Sequence, residues 1–175
     1  MKNIFITFIV SLVFIIGGCG QNKEEIDACE IPSTIVVHNF TRHEGIDDIV
    51  ADIIFKVLEY DTMEVVLLPM DGEDIELYGA YIEPNVGKDH SYLISVNPFL
   101  SSSYYLPTLM HELAHLRQFE SKELIKLDQS IYIYKGDTLN VSYILPPTIR
   151  PFEKDAYNEQ NDIFDVYIKK ICNCK

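Results

Sequence analysis

Three side chains, His111, Glu112 and His115, carry the clearest chemistry in this 175-residue sequence. They stand as His-Glu-Leu-Ala-His inside a stretch of helical character, Tyr104 to Phe119. Residues four apart on a helix share a face, so both imidazoles can reach one metal ion. Glu112 follows a fraction of a turn later, where its carboxylate can take the proton of a metal-activated water. The chain has five histidines, and two of them fall in this motif.

The surroundings must place that helix. Ser101, Ser102 and Ser103 offer N-caps, and Pro107 is tolerated near a helix start. Leu109, Leu113 and Leu116 form an apolar stripe for docking. Arg117 sits toward the C-terminal end, where a cation is favoured. Gln118 lies on the His111/His115 face, to line the site or to support it.

A catalytic zinc usually has three protein ligands and one open position. No histidine follows His115, and His38, His43 and His90 upstream follow no pattern. Periodicity selects among the carboxylates. At about 100° per residue, Phe152, Ala156, Ile163, Phe164, Tyr167 and Ile171 share one face of a last helix, Pro151 to about Ile171. Glu153 falls within that apolar arc, whereas Asp155, Glu159 and Asp162 fall opposite. A carboxylate turned toward a core is costly unless paired, and a metal would pair it. A glutamate in the first turn is also favourable without any metal.

The elements between form one α+β domain. Thr34–Val37, Glu64–Met70, Ile75–Ile82 and Ser91–Asn97 read as strands, and Glu44–Tyr60 as an amphipathic backing helix. Ser121–Gln129 reads as a short surface helix. Ile131–Tyr134, Lys135-Gly136-Asp137 and Thr138–Leu145 read as a β-hairpin, closed by Pro146-Pro147.

The N-terminus has its own organisation. Ile4–Ile16 is an apolar run of 13 residues broken by Thr7 and Ser11. It is too short for a comfortable membrane span and suits the core of a signal peptide. Ile16-Gly17-Gly18-Cys19 resembles the bacterial lipobox. That resemblance implies cleavage after residue 18 and a lipid on Cys19, with residues 19–28 as a polar tether and 29–175 as the domain. The acidic residues after Cys19 resemble the surface-export signals of some bacterial lipoproteins. The expected location is the cell envelope, outside the cytoplasm, on the outer membrane or the cell surface. Without Lys2 the chain carries 13 basic and 27 acidic residues, net −14, which excludes a nucleic-acid partner. Cys29 is then expected to form a disulfide with Cys172 or Cys174.

The motif resembles that of the zincin metallopeptidases. His-Glu-Leu-x-His-x-x-Gln, a hairpin around Lys-Gly and Pro-Phe-Glu-x-Asp-Ala-Tyr are similar to small gluzincin-type proteins, over roughly Leu109 to Asn158. The resemblance implies a zincin-like fold: a small mixed sheet with a backing helix, the active-site helix, a hairpin and a C-terminal helix. It implies Zn2+ on His111, His115 and Glu153, with Glu112 as general base, in a monomer acting on a peptide or protein. Tyr157, Tyr143 and Arg150 are candidate oxyanion donors by position. In thermolysin-like relatives an Asp four residues after the third ligand orients a metal-bound His, whereas Tyr157 stands there here. Ser91–Asn97 is either a peptide-binding edge strand or an ordinary buried strand. The rival functions are a non-catalytic surface-binding lipoprotein and a zinc hydrolase of cell-wall amides.

Overall fold

Alternating burial builds the first sheet. Met63, Val65 and Leu67 turn inward, and Glu64, Val66 and Leu68 are half-exposed, in the strand Met63–Pro69. A computed structural model describes residues 33–71, 79–141 and 150–172, with side chains to residue 170. The elements are β1 (Ile35–Asn39), α1 (Ile46–Lys56), β2 (Met63–Pro69), β3 (Ala80–Pro84), β4 (Ser91–Val96), α2 (Ser102–Glu120), β5 (Leu124–Lys126), β6 (Ile131–Tyr134), β7 (Asp137–Asn140) and α3 (Pro151–Cys172). The architecture is α+β. A four-stranded sheet has the order β1-β2-β4-β3, and a three-stranded sheet has the order β5-β6-β7.

β1, β2 and β4 run parallel, and β3 joins β4 antiparallel. Ser91–Asn97 is therefore no edge: β4 is paired on both sides, and Tyr92, Ile94 and Val96 are buried. The edge beside it is β3, which strand order alone decides. The expected strand Ile75–Ile82 begins at Ala80 in the described part, and residues 75–78 lie outside the described residues. Gly79 lets the chain pass close to α2, for a Cβ there would meet the Thr108 methyl at 3.4 Å.

The three helices share one core with this sheet. Val50, Ile53 and Ile54 of α1, Leu109, Met110, Leu113 and Leu116 of α2, and Ala156, Ile163 and Tyr167 of α3 are buried together. Each fully buried aliphatic side chain contributes about 1.5–3 kcal/mol. α1 is shorter than its apolar pattern. Gly45 precedes it at φ 72, and Glu59 turns the chain out at φ 62. In α2 Ser101 is the N-cap, but its hydroxyl meets Ser103 instead of capping a backbone N–H. Pro107 is the sixth residue, so its missing N–H leaves unmatched only the carbonyl of exposed Ser103.

The expected surface helix Ser121–Gln129 is instead a turn, a strand and a second turn. Lys122 takes φ 59 after α2 ends, and Leu124–Lys126 pairs with β6. Leu124 is buried with Tyr134, Val141 and Phe152 in a second small core. The Asp128 carboxylate then accepts the N–H groups of Ser130 and Ile131. Pairing and burial override the local helical composition here. The hairpin forms with a shorter turn than expected: Lys135 at φ 49 and Gly136 at φ 91 make it, and Asp137 already pairs with Tyr134. Its second strand is Asp137–Asn140 in place of Thr138–Leu145, of which residues 142–145 lie outside the described residues.

The hairpin is tied to α3 at Asp155. The Tyr134 hydroxyl and the Lys135 ammonium, 2.9 Å away, both donate to Oδ2 of Asp155. These donors hold the Asp155 carboxyl below its ordinary value. A lowered carboxyl stabilises above the unfolded value and loses that contribution as pH falls through the folded one. Asp155→Asn should therefore lower the urea midpoint modestly at pH 7. The gap to wild type should close toward pH 2; a gap unchanged at low pH would exclude a role for the charge.

Candidate metal centre

Helix α2 presents His111 and His115 one turn apart, and the first turn of α3 presents Glu153 to both. Nε2 of His111 lies 3.2 Å and Nε2 of His115 lies 3.3 Å from the same oxygen, Oε2 of Glu153. The donor atoms of all three lie within 4.8 Å of one another. Two ligands on a tetrahedral ion at about 2.0–2.1 Å sit roughly 3.3 Å apart, so these separations fit a shared ion. The set is two imidazoles and one carboxylate, all largely buried. His111 and His115 meet edge to face, their ring centroids 4.8 Å apart.

The electrostatics follow from burial and proximity. Burial would raise the Glu153 carboxyl, but hydrogen bonds from His111 and His115 hold it down to about 2. Burial would lower His115, and the bond to Glu153 with the charges of Glu112 and Glu153 raises it instead. Glu153 and His115 thus hold each other's charges in a place where a cation fits.

Glu112 belongs to the same helix but not to the ligand set. It is 3% exposed. Burial pushes its carboxyl up, while His115 and His111 pull it back. The backbone N–H of Ile82, on β3, pulls it back as well, and less strongly. Sequence reasoning missed this link, for it joins a backbone group and a side chain thirty residues away.

Gln118 resolves into a supporting role. It is 2% exposed, and its Oε1 lies 2.9 Å from Nδ1 of His115. Its Nε2 donates to the Phe152 carbonyl at 3.0 Å. Nδ1 of His111, by contrast, is buried and has no hydrogen-bond partner among the described residues.

Two of the proposed oxyanion donors border the centre. The Tyr157 ring lies 4.3 Å from that of His111, and the residue is 48% exposed. Burial and the charges of Glu153 and Glu112 raise its hydroxyl pKa. The Arg150 side chain is mostly buried, with Nη1 4.0 Å from Oε1 of Glu153. Tyr143 lies outside the described residues, as do Cys19, Cys29, Cys174 and the side chain of Cys172, with the signal segment and the tether.

The other histidines are elsewhere. His38 is 3.7 Å from Glu64, His90 bonds Glu120 at 2.8 Å, and His43 packs on Tyr105. Glu159, expected opposite the apolar arc, instead pairs with Arg117 of α2 at 3.0 Å and is largely buried. The α2–α3 contact is wider than the apolar residues alone indicate. No helix among the described residues is long and apolar enough to cross a membrane. Comparison of the chain with protein-family models, with curated proteins and with solved structures finds no match.

Proposed function

We propose that this chain is a zinc-dependent peptidase of zincin-like fold and gluzincin type, held by a lipid on Cys19 outside the cytoplasm. One observation carries the reading. A buried carboxyl that is not a ligand, Glu112, stands beside a His111/His115/Glu153 set and feels the charges of all three. A structural metal site has no use for such a neighbour. Zinc, when bound, would lower the pKa of a water toward neutrality and polarise a carbonyl. Glu112 would take the proton of the attacking water and pass it to the leaving amine as the C–N bond breaks.

The edge of β3 offers the substrate a place. Asn97 N–H bonds the Gly79 carbonyl and Asn85 N–H bonds the Ser91 carbonyl, so odd-numbered β3 residues face β4. In an antiparallel ladder the alternate residues then turn their backbone groups outward. Ala80 presents an N–H and a carbonyl to an extended peptide, and Ile82 presents its carbonyl. The Ile82 N–H points the same way, toward Glu112. The scissile bond of a peptide paired here would lie near the base.

Tyr157 is the favoured oxyanion donor. It stands over His111 and is half-exposed, whereas the Arg150 cation faces Glu153. The rival surface-binding reading, for which the tyrosines of the β6–β7 hairpin would be the contact, finds less support, since Tyr132 stacks on Phe152 and Tyr134 is buried.

The test is cleavage of a broad peptide panel, with purified peptidoglycan as a parallel substrate. Peptide cleavage should be lost to a chelator and restored by Zn2+. Tyr157→Phe should lower kcat by about 10²-fold and leave zinc content unchanged. Bound zinc with no peptide cleaved would refute the peptidase reading. Cleavage of peptidoglycan amides alone would reassign the substrate.

A further inference from the structure

We infer that Gln118 is the positioning residue of this centre: one buried amide selects the nitrogen that His115 turns to the metal and sets the helix start that carries Glu153. The inference rests on reading His111, His115 and Glu153 as a metal centre, and it adds how two of those ligands are held.

The chemistry leaves one orientation. A backbone carbonyl only accepts, so the amide NH2 of Gln118 must face the Phe152 oxygen, 3.0 Å away. Reversing the amide would set two acceptor oxygens against each other. The Gln118 oxygen therefore faces Nδ1 of His115, at 2.9 Å. An oxygen there requires Nδ1 to carry a hydrogen. In the neutral ring Nε2 then holds the lone pair, and Nε2 is the atom directed at Glu153 Oε2. The tautomer of His115 is thus set by a carbonyl in another helix, relayed through a single side chain.

The same amide reaches the third ligand. Phe152 immediately precedes Glu153, in the first turn of α3. Its side chain is buried in the small core beside Tyr134 and Leu124. Gln118 grips the carbonyl and the small core grips the ring, so Glu153 is placed from both sides. Gln118 sits three residues after His115 on α2, on the same face, and is buried with it. A buried amide costs free energy unless both of its ends are used, and here both are.

His111 shows the contrast. Its Nδ1 is buried and has no hydrogen-bond partner among the described residues, and the Tyr157 ring packs against its ring. The centre is asymmetric: the protein orients His115 by hydrogen bonding and His111 by packing. Removing a partner of a metal-bound histidine typically costs about 10–100-fold in metal affinity.

The experiment uses the domain from about Glu24 onward, labelled with 15N-histidine and loaded with Zn2+. In the wild type His115 should coordinate through Nε2 and show a slowly exchanging Nδ1 proton. Gln118→Met keeps the volume and removes both bonds. It should weaken Zn2+ about 10–100-fold in a competition with a chromophoric chelator, and the Nδ1 proton should exchange fast. Gln118→Glu keeps an acceptor for His115 but loses the donor to the Phe152 carbonyl, so the slow Nδ1 proton should return while Zn2+ affinity stays below that of the wild type. Coordination of His115 through Nδ1 in the wild type would overturn the inference without any variant. So would unchanged affinity in Gln118→Met. A wild type that takes up no Zn2+ at all would instead bring down the metal-centre reading on which this one rests.

Discussion

Glu112→Gln is expected to keep its zinc and its fold and to lose about 10²–10⁴-fold in turnover. The amide is nearly isosteric and suits the same buried place. It cannot take a proton from water. Glu112 is no ligand of the set formed by His111, His115 and Glu153, so metal content should not move. Glu153→Gln supplies the opposite pattern. It removes the anion that both imidazoles face, and zinc content and activity should fall together. Peptide cleavage and elemental analysis on both variants distinguish base from ligand. A Glu112→Gln protein as active as wild type would show that the proton leaves by another route.

His115→Ala is expected to lose zinc and, with it, the stability that zinc confers. Two remaining ligands hold the ion poorly. A ligand that binds the native state alone stabilises it by about 4 kcal/mol at a thousandfold excess over its dissociation constant. A chelator should therefore lower the thermal midpoint of the wild type, and it should leave that of His115→Ala where it was. The variant also strands Gln118 Oε1, which bonds His115 in the wild type, so its own midpoint should lie below that of chelated wild type. Calorimetry with and without chelator, beside zinc content, measures both effects. Full zinc occupancy in His115→Ala would remove His115 from the centre.

The motif residues and their shared face were legible before any fold was known, because a helix fixes the spacing of positions four apart. His111 and His115 do lie on one buried face, and Glu153 does turn inward within its arc. The expectation for Glu159 fails on the period itself: at about 100° per residue it lies roughly 20° from Phe152, at the border of the apolar arc, where Arg117 of the neighbouring helix pairs with it. Ser121–Gln129 misled for a different reason. Its composition suits a helix, yet Leu124 gains more from burial beside Tyr134 and Phe152 than from a helical turn.

By itself the sequence determined the α+β class, the helix with its paired histidines, the hairpin turn at Lys135-Gly136 and the inward set of Glu153. Each follows from periods of two or 3.6 residues or from turn chemistry, which act over a few neighbours. Only the tertiary structure decided that β3 is an edge, that its Ile82 N–H is turned toward Glu112, and that Gln118 joins His115 to Phe152. Those three are contacts between elements distant in the chain. Local spacing carries no information about strand order or about which buried donor finds which acceptor. These are settled when apolar faces pack together and every polar group trapped between them must find a partner.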